Sequence, residues 1–497
     1  MVRAESILAE LRRMGVAVNR LQADSRRVAP GDVFLAYPGA AADGRRYIAQ
    51  AVAAGAAAVL YEPGGAPVAA GTVPMLPVEG LKDLAGFLAD QVEGTPSAQM
   101  RVMGVTGTNG KTTVSQWLAQ AWALSGLRCG VIGTLGSGFP GSLEEGLNTT
   151  PDALLVHRTL AQFRRDGAGA AAMEVSSIGL DQGRVNGVRF AVAVYTNLSR
   201  DHLEYHGSME SYGLAKAVLF RWPGLEAAVI NADDGYAPTI LAGARESGAR
   251  ILAYSVQPGN PALADYPAVL LAESVAFGGA GVRLQVRLAE EVVAVTSPVV
   301  GMFNVSNLLA VIATLVVSGV GLARAAELVS ALRPPAGRME TLGGEGQPLA
   351  VVDYAHTPDA LDKVLTTLRH VAESRGGRLV AVFGCGGNRD PGKRPLMGET
   401  VSRLADVAVV TSDNPRHEDP AAIVADVVRG MSGHHQVVID RSTAIRWAIA
   451  NAAGNDVILV AGKGHEPYQE VMGVRHPFSD QHVVARALSD WRATRAC

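Results

Sequence analysis

The sequence predicts an α/β protein of three domains: a small α/β N-terminal domain over residues 1–97, a central, mostly parallel sheet over 98–332, and a Rossmann-like, doubly wound domain over 333–497. Three observations predict it. At 497 residues the chain is long enough for about three domains, each with its own core. Two blocks of it alternate short apolar runs with helix-period segments, the pattern of parallel strands covered by helices. At the head of the first block, Gly107-Thr108-Asn109-Gly110-Lys111-Thr112-Thr113 joins a buried strand to a helix, and such a turn cradles phosphate.

Composition narrows the partners. Charged residues are 18% of the chain and the net charge is -3, without a basic run, so nothing electrostatic favours nucleic acid or an anionic membrane. Cys129, Cys385 and Cys497 are too scattered for a disulfide framework or a four-ligand zinc site, which fits a reducing cytoplasm. Met1 to Gly15 interleaves Arg3, Glu5, Glu10, Arg12 and Arg13 with Ile7, Leu8 and Leu11, an amphipathic helix rather than a secretory segment. The uncharged run Leu308 to Ala323 falls short of the about 20 residues that cross a bilayer and reads as a buried helix.

In the first domain, Asp24-Ser25-Arg26-Arg27 precedes a strand over Gly31 to Tyr37. A helix from about Tyr47 to Ala54, a strand Ala56 to Tyr61 and an amphipathic helix Leu81 to Val92 follow, and Gly94-Thr95-Pro96-Ser97 reads as a linker. On local grounds alone Ser25 and Arg26 are solvated loop residues.

The central domain opens with the strand Arg101 to Val105 and the helix Lys111 to Leu124, apolar at Val114, Trp117, Leu118, Ala121 and Trp122. Glycines in the turn let several N–H groups and the helix dipole face one anion, with Lys111 on the terminal phosphates and the Thr112 hydroxyl on magnesium. The general pattern asks for glycine where Val105 stands, so the loop is a variant. Strand Val131 to Gly133 leads to Asn148-Thr149-Thr150-Pro151-Asp152, with Pro151 suited to the first turn of a helix. Strand Gly169 to Val175 carries Glu174, either a magnesium carboxylate beside the loop or a capping acid. Strand Phe190 to Asn197 opens onto Arg200 to His206; two histidines four apart can share a metal, but Gly207 points to a loop, so one ligand is expected. Lys216, on an apolar helix, reads alone as a snorkelling lysine. A hairpin follows at Leu284 to Val286 and Val292 to Val295, and then Gly301 to Asn307 starts the buried helix, with Asn304 and Asn307 as caps.

After Arg333-Pro334-Pro335 the third domain has strands at Leu349 to Asp353, Leu379 to Phe383, Val407 to Thr411, Val437 to Ile439 and Val457 to Val460. Ligands of such a sheet gather beyond the carboxyl ends of the strands. There stand Tyr354-Ala355-His356, Gly386-Gly387-Asn388-Arg389-Asp390, Asp413-Asn414-Pro415-Arg416 and Gly462-Lys463-Gly464-His465-Glu466. Guanidinium forks with carboxylates suit a zwitterion, the alternative being a solvated charged rim. Gly384-Cys385-Gly386-Gly387 lacks dinucleotide-fingerprint spacing.

Together, Gly107 to Thr113, Asn148 to Thr150, Met173 to Ser177, Asp201-His202, Lys216, Gly337-Arg338-Met339-Glu340, Asp353 to His356 and Gly462 to Glu466 resemble, in order and across essentially the whole chain, the Mur ligase family of ATP-dependent amide ligases. In that family Val105 is an ordinary trait. The resemblance implies ATP held by Gly107, Thr108, Asn109, Gly110, Lys111, Thr112, Thr113, Asn304, Arg338, Asp353 and His356. It implies Mg2+ on Thr112, Glu174, His202 and Lys216, the last as a carbamate, with Lys111, Glu174, His202 and Lys216 catalytic. It implies a UDP-muramoyl dipeptide on Ser25, Asn148, Thr149, Thr150, Ser176, Gln182 and Arg184. The amino-acid side falls to Arg389, Asp413, Asn414, Pro415, Arg416, Gly462 and Glu466; the arginine in Asp413 to Arg416 points to meso-diaminopimelate over the L-lysine used by some relatives. Ala40-Ala41-Ala42 departs from the His-Gln-Ala of many relatives, which leaves the uridine contacts open. A cytoplasmic monomer acting on small molecules is expected. Folylpolyglutamate synthase-like ligases share the nucleotide fold, but the arginine-bearing stretch and the loop at Ser25 speak against them. A P-loop switch ATPase would hydrolyse ATP without an amino acid.

Overall fold

Apolar runs flanked on both sides by helical segments give this chain three separate sheets, seen in a computed structural model that describes residues 2–39, 42–64, 72–146, 148–278, 281–344 and 346–493. Ala40, Ala41 and Cys497 lie outside the described residues. The first sheet is parallel throughout, in the order β1 (Leu21–Gln22), β2 (Val33–Ala36), β3 (Ala58–Tyr61), β4 (Met75–Pro77). Val33 and Leu35 face one layer and Phe34 and Ala36 the other, because side chains alternate along a strand. Helices Val2–Arg13 and Leu81–Val92 pack Leu8, Leu11, Leu81 and Leu88 against the first layer.

The central sheet holds β5 (Arg101–Thr106), β6 (Cys129–Gly133), β7 (Gly136–Phe139), β8 (Ser142–Glu144), β9 (Ala170–Glu174), β10 (Val192–Tyr195), β11 (Ala227–Asn231), β12 (Arg250–Ser255), β13 (Val269–Gly278), β14 (Gly281–Leu288) and β15 (Glu291–Ser297). Their order is 15-14-13-12-11-10-5-9-6-7-8, parallel from β13 to β6 and antiparallel at both edges. Helices Lys111–Leu124 and Met302–Val317 cover one face, and Ala153–Arg165 and Ala237–Ser247 the other. The parallel register sets the carboxyl ends of β6, β9, β5 and β10 side by side.

In the third sheet, β16 (Glu340–Gly343) runs antiparallel to β17 (Leu349–Asp353), and β17, β21 (Val457–Ala461), β18 (Leu379–Phe383), β19 (Val407–Val410) and β20 (His435–Val437) continue in parallel. Helices lie on both faces. A hairpin, β22 (Tyr468–Val471) and β23 (Val474–Pro477), stands off this sheet. Among the described residues no helix is long and apolar enough to cross a membrane.

Several local expectations are corrected. Pro151 precedes its helix; Asp152 is the N-cap, accepting from Leu155 N. Asn304 and Asn307 are not caps, because the helix starts at Met302 behind Gly301 and both lie inside it, buried. Gly207 ends one helical turn, Leu203–His206, rather than marking a loop throughout. The buried apolar run breaks at Gly319 into two helices, Met302–Val317 and Leu322–Ser330. The strand sought at Val437 to Ile439 runs instead over His435–Val437. Lys216 does not snorkel: it is 1% exposed.

The first and central sheets meet through backbone. Gly86, inside the helix Leu81–Val92, lies against the carbonyl of Asn186, which also accepts from buried His157 Nε2 at 2.9 Å. A Cβ at position 86 would overlap that carbonyl. Helix propensity alone makes Gly86→Ala stabilising by up to about 1 kcal/mol, whereas overlap costs about 1–3 kcal/mol. Thermal denaturation of Gly86→Ala should show a lower midpoint than the parent.

Candidate active site

The four adjacent carboxyl ends carry Thr134, Glu174, Gly107 and Thr196-Asn197, so the sheet itself assembles the pocket floor. Gly107 has φ 147 and Gly110 φ 88, conformations that side chains avoid. A Cβ at Gly107 would strike Thr196 Oγ1, and one at Gly110 would lie 2.6 Å from Asn307 Oδ1. The loop between them is pinned from β10: Thr108 N donates to Asn197 O at 2.8 Å, Asn109 N to Asn197 Oδ1 at 3.0 Å, and Thr196 Oγ1 to Asn109 O at 2.6 Å. The helix Lys111–Leu124 then points its amino end, and its unpaired N–H groups, into the same space.

Two ammonium groups meet on this loop. Lys111 Nζ donates to Gly107 O and Thr108 O, both at 2.8 Å, and Lys216 Nζ donates to Gly107 O at 2.9 Å while lying 4.1 Å from the Tyr212 ring centre. Burial, then the charge of Lys111, holds the Lys216 amine well below the usual lysine range; Asp201 opposes. Burial also lowers Lys111, against Glu174 and Asp201.

Glu174 is fully buried, and its carboxylate accepts from Thr134 N at 2.8 Å, Thr134 Oγ1 at 3.0 Å and Thr112 Oγ1 at 3.0 Å. Thr112 Oγ1 in turn accepts from Arg338 Nη2 at 3.0 Å, and Arg338 lies over the Tyr354 ring at 4.3 Å. Arg338 thus reaches from the entrance of the third sheet to the loop that opens the helix Lys111–Leu124. Thr150 Oγ1 lies 2.9 Å from Glu174 O and 3.0 Å from Ser176 Oγ, tying the polar loop to β9. Arg184 Nη1 donates to Thr150 O at 2.8 Å, and Arg184 Nε donates to Gln182 Oε1 at 3.0 Å.

The third sheet closes the pocket. Asp201 is buried among Lys393 Nζ at 3.3 Å, His202 Nε2 at 3.6 Å and His356 Nε2 at 3.6 Å. Burial alone would raise this carboxyl; His356, Lys393 and His202 together hold it well below the carboxylate range. Arg200 Nε donates to Asp390 Oδ2 at 2.9 Å, and Asn109 Nδ2 to Asp359 Oδ2 at 2.9 Å. His202 itself sits at φ 54, ahead of its one-turn helix, while His206 Nε2 is 2.9 Å from Ser177 Oγ.

One cavity of about 1040 Å³ gathers most of the expected residues: Thr108 to Thr113, Asn148 to Thr150, Glu174, Ser176, Arg184, His202, Asn304, Arg338, Asp353, His356, Arg389, Asp413, Asn414, Arg416, Gly462 and Glu466. Gly107, Lys216, Gln182, Pro415 and Ser25 are not on its wall. Gly107 and Lys216 lie beneath the loop, and Ser25 Oγ donates to Gln50 Oε1 at 3.0 Å in the first domain. Both oxygens of Asp353 accept backbone N–H groups, from Met339 and Ala355. Sequence reasoning missed Thr134, Asp359 and Lys393, and also the hairpin residues Tyr468, Glu470 and Arg475, which line the cavity with Arg416 and Glu466. That hairpin holds Arg416 as a strand partner: Arg416 N donates to Glu470 O at 3.0 Å and Met472 N to Arg416 O at 2.6 Å. Thr134 was open to discovery, since it is the first residue beyond a buried strand.

Residues 17–93 match the Mur ligase family catalytic domain, 105–315 the Mur ligase middle domain, and 337–464 the Mur ligase glutamate ligase domain. The chain is 51% identical to a UDP-N-acetylmuramoyl-L-alanyl-D-glutamate–2,6-diaminopimelate ligase of Chromobacterium violaceum, over 97% of each chain. It is 50% identical to the protein of the same name from Pseudomonas aeruginosa, over 96% of each. A solved structure bearing that name superposes with a TM-score of 0.67 at 38% identity, covering 95% of each chain.

His465 Nδ1 is buried without a hydrogen-bond partner, and burial with the charge of Arg338 lowers its pKa to about 4. The unfolded chain, with an ordinary histidine near 6.5, binds the proton more tightly. Stability contributed by neutral His465 is therefore whole above about pH 6.5 and declines toward pH 4, by up to about 1.4 kcal/mol per pH unit. Melting midpoints of the wild type should fall more steeply between pH 7 and 5 than those of His465→Asn.

Proposed function

The chain belongs to the Mur ligase family, and from that premise we propose that it joins meso-2,6-diaminopimelate to the D-glutamate γ-carboxylate of UDP-N-acetylmuramoyl-L-alanyl-D-glutamate at the expense of ATP. The observation that carries this reading is a single cavity with a phosphate loop on one wall and an arginine-bearing, zwitterion-compatible rim on the other. Bound MgATP supplies the γ-phosphoryl group that turns the poor leaving oxygen of the carboxylate into phosphate, which departs when the amine attacks the carbonyl carbon.

The residues fit those guests. Arg338 Nε is buried without a hydrogen bond, a donor suited to an anion beside the glycine cradle. Thr112 and Glu174 give hard oxygens 3.0 Å apart, as magnesium prefers. Among the described residues no group of three His, Cys, Asp or Glu side chains is arranged to hold a metal ion. Lys216 as an ammonium donates to Gly107 O and has no lone pair for a metal; burial and the charge of Lys111 shift it toward the neutral amine, whose nitrogen would add to carbon dioxide and lose a proton to give a carbamate. Lys111 and the loop N–H groups would stabilise charge on the transferring oxygens. The loop Asn148 to Thr150 with Ser176 and Arg184 would place the acceptor dipeptide, while Ser25 would act at its distant nucleotide end. Asp413 Oδ2, buried and unbonded, is an acceptor for an ammonium, and Arg416 and Arg389 are forks for carboxylates. Closure by Arg200, Asn109 and Lys393 would keep water from the activated carboxyl. The reading takes the protein as a cytoplasmic monomer.

Incubation with the UDP-muramoyl dipeptide, ATP, magnesium and either diamino acid, read by phosphate release and product mass, tests the proposal. Phosphate should appear only with all components present. A charged hydrogen bond of roughly 1.5–3 kcal/mol predicts a preference for meso-diaminopimelate over L-lysine of about 10- to 100-fold in kcat/KM, largely lost in Arg416→Ala. Equal values for the two amino acids in the wild type would refute the assignment. Lys216→Ala should be inactive and partly rescued by a short-chain carboxylic acid.

A further inference from the structure

We propose that Thr134 is a positioning residue for the Glu174 carboxylate, and that its hydroxyl holds that carboxylate whether or not a ligand takes up the neighbouring Thr149 hydroxyl. The inference rests on the reading of Glu174 as a cation ligand. One residue grips both oxygens: the Thr134 N–H donates to Oε1 at 2.8 Å and its hydroxyl to Oε2 at 3.0 Å. The terminal torsion of a glutamate is soft, with broad two-fold wells, so a carboxylate held at one oxygen can turn. Held at both, its plane is fixed and its remaining capacity faces Thr112, the third partner.

The backbone is shaped for this grip. β6 ends at Gly133, where any Cβ would overlap the Glu174 carboxylate, so the chain can pass against it only as glycine. Thr134 then turns out of the strand with N–H and O–H on the same side. Its single hydroxyl proton is committed to Glu174, which makes Thr149 the donor in the 3.0 Å Thr149–Thr134 contact. The hydroxyl chain therefore runs Thr149 to Thr134 to Glu174, from the loop expected to hold the acceptor substrate to the carboxylate. A ligand that takes up the Thr149 hydroxyl leaves Thr134 oriented, because the Thr134 proton does not depend on Thr149.

Binding of a non-hydrolysable ATP analogue to the full-length protein, measured calorimetrically with and without magnesium, tests the proposal. Thr134→Val keeps the N–H and loses the hydroxyl; it should weaken magnesium-supported binding about tenfold or more and leave magnesium-free binding within about twofold. Thr134→Ser should stay within about twofold of wild type in both. Unchanged magnesium-supported binding in Thr134→Val, or an equal loss with and without magnesium, overturns the proposal, since the latter marks a residue that only scaffolds the loop. Glu174→Gln separates the two layers: if it leaves magnesium-supported binding intact, the cation reading of Glu174 falls, whereas a loss there without one in Thr134→Val removes the Thr134 proposal alone. Should Thr134→Val not fold, Thr134→Ala against Thr134→Ser decides by the same readings.

Discussion

Two ammonium groups share one carbonyl oxygen at the centre of this protein, and much of the site follows from that. Lys111 and Lys216 both donate to Gly107 O, one from the helix beside the loop and the other from a helix more than a hundred residues on. Like charges so close, with burial added, cannot both be comfortable as cations. Glu174 and Asp201 offset part of the excess. The loop is thus a place of stored positive potential, kept by the fold rather than by solvent.

The same electrostatics explains why the site needs two sheets. Asp201 leaves the central sheet and finds Lys393 and His356 on the third, while Arg338 returns from the third sheet to Thr112. Charges cross the junction in both directions, so groups from both sheets build the site together.

Much of this was legible in the chain. Lys111–Leu124, Leu81–Val92, Leu349–Asp353 and Leu379–Phe383 are found where their apolar spacing puts them. Glu174, at the end of a wholly apolar strand, was visible for the same reason. The edge strands β7, β8, β16 and the hairpin β22–β23 were not, because short, glycine-rich or half-exposed strands carry no strong period. Lys216 was misjudged on local grounds: its helix shows an apolar surround but not the buried carbonyl it serves, a contact spanning 109 positions. Only its place in an ordered set of motifs singled it out. Thr134 and Lys393 escaped because hydroxyls and lysines near turns are common, and nothing local says which one faces a buried carboxylate.

The hairpin β22–β23 fixes the backbone of the rim residue beside it. Arg416 sits at φ 53, a conformation that a long side chain adopts at a cost, and it is the hairpin's backbone that holds it there. Main-chain bonds of this kind are indifferent to what the side chain is. A substitution at 416 would lose the guanidinium contacts to Gly387 O and Glu470 but leave these main-chain bonds, and asparagine or glycine would adopt the same backbone at lower cost. The frame at this rim is made of main-chain bonds, and the side chain it carries is a replaceable tile.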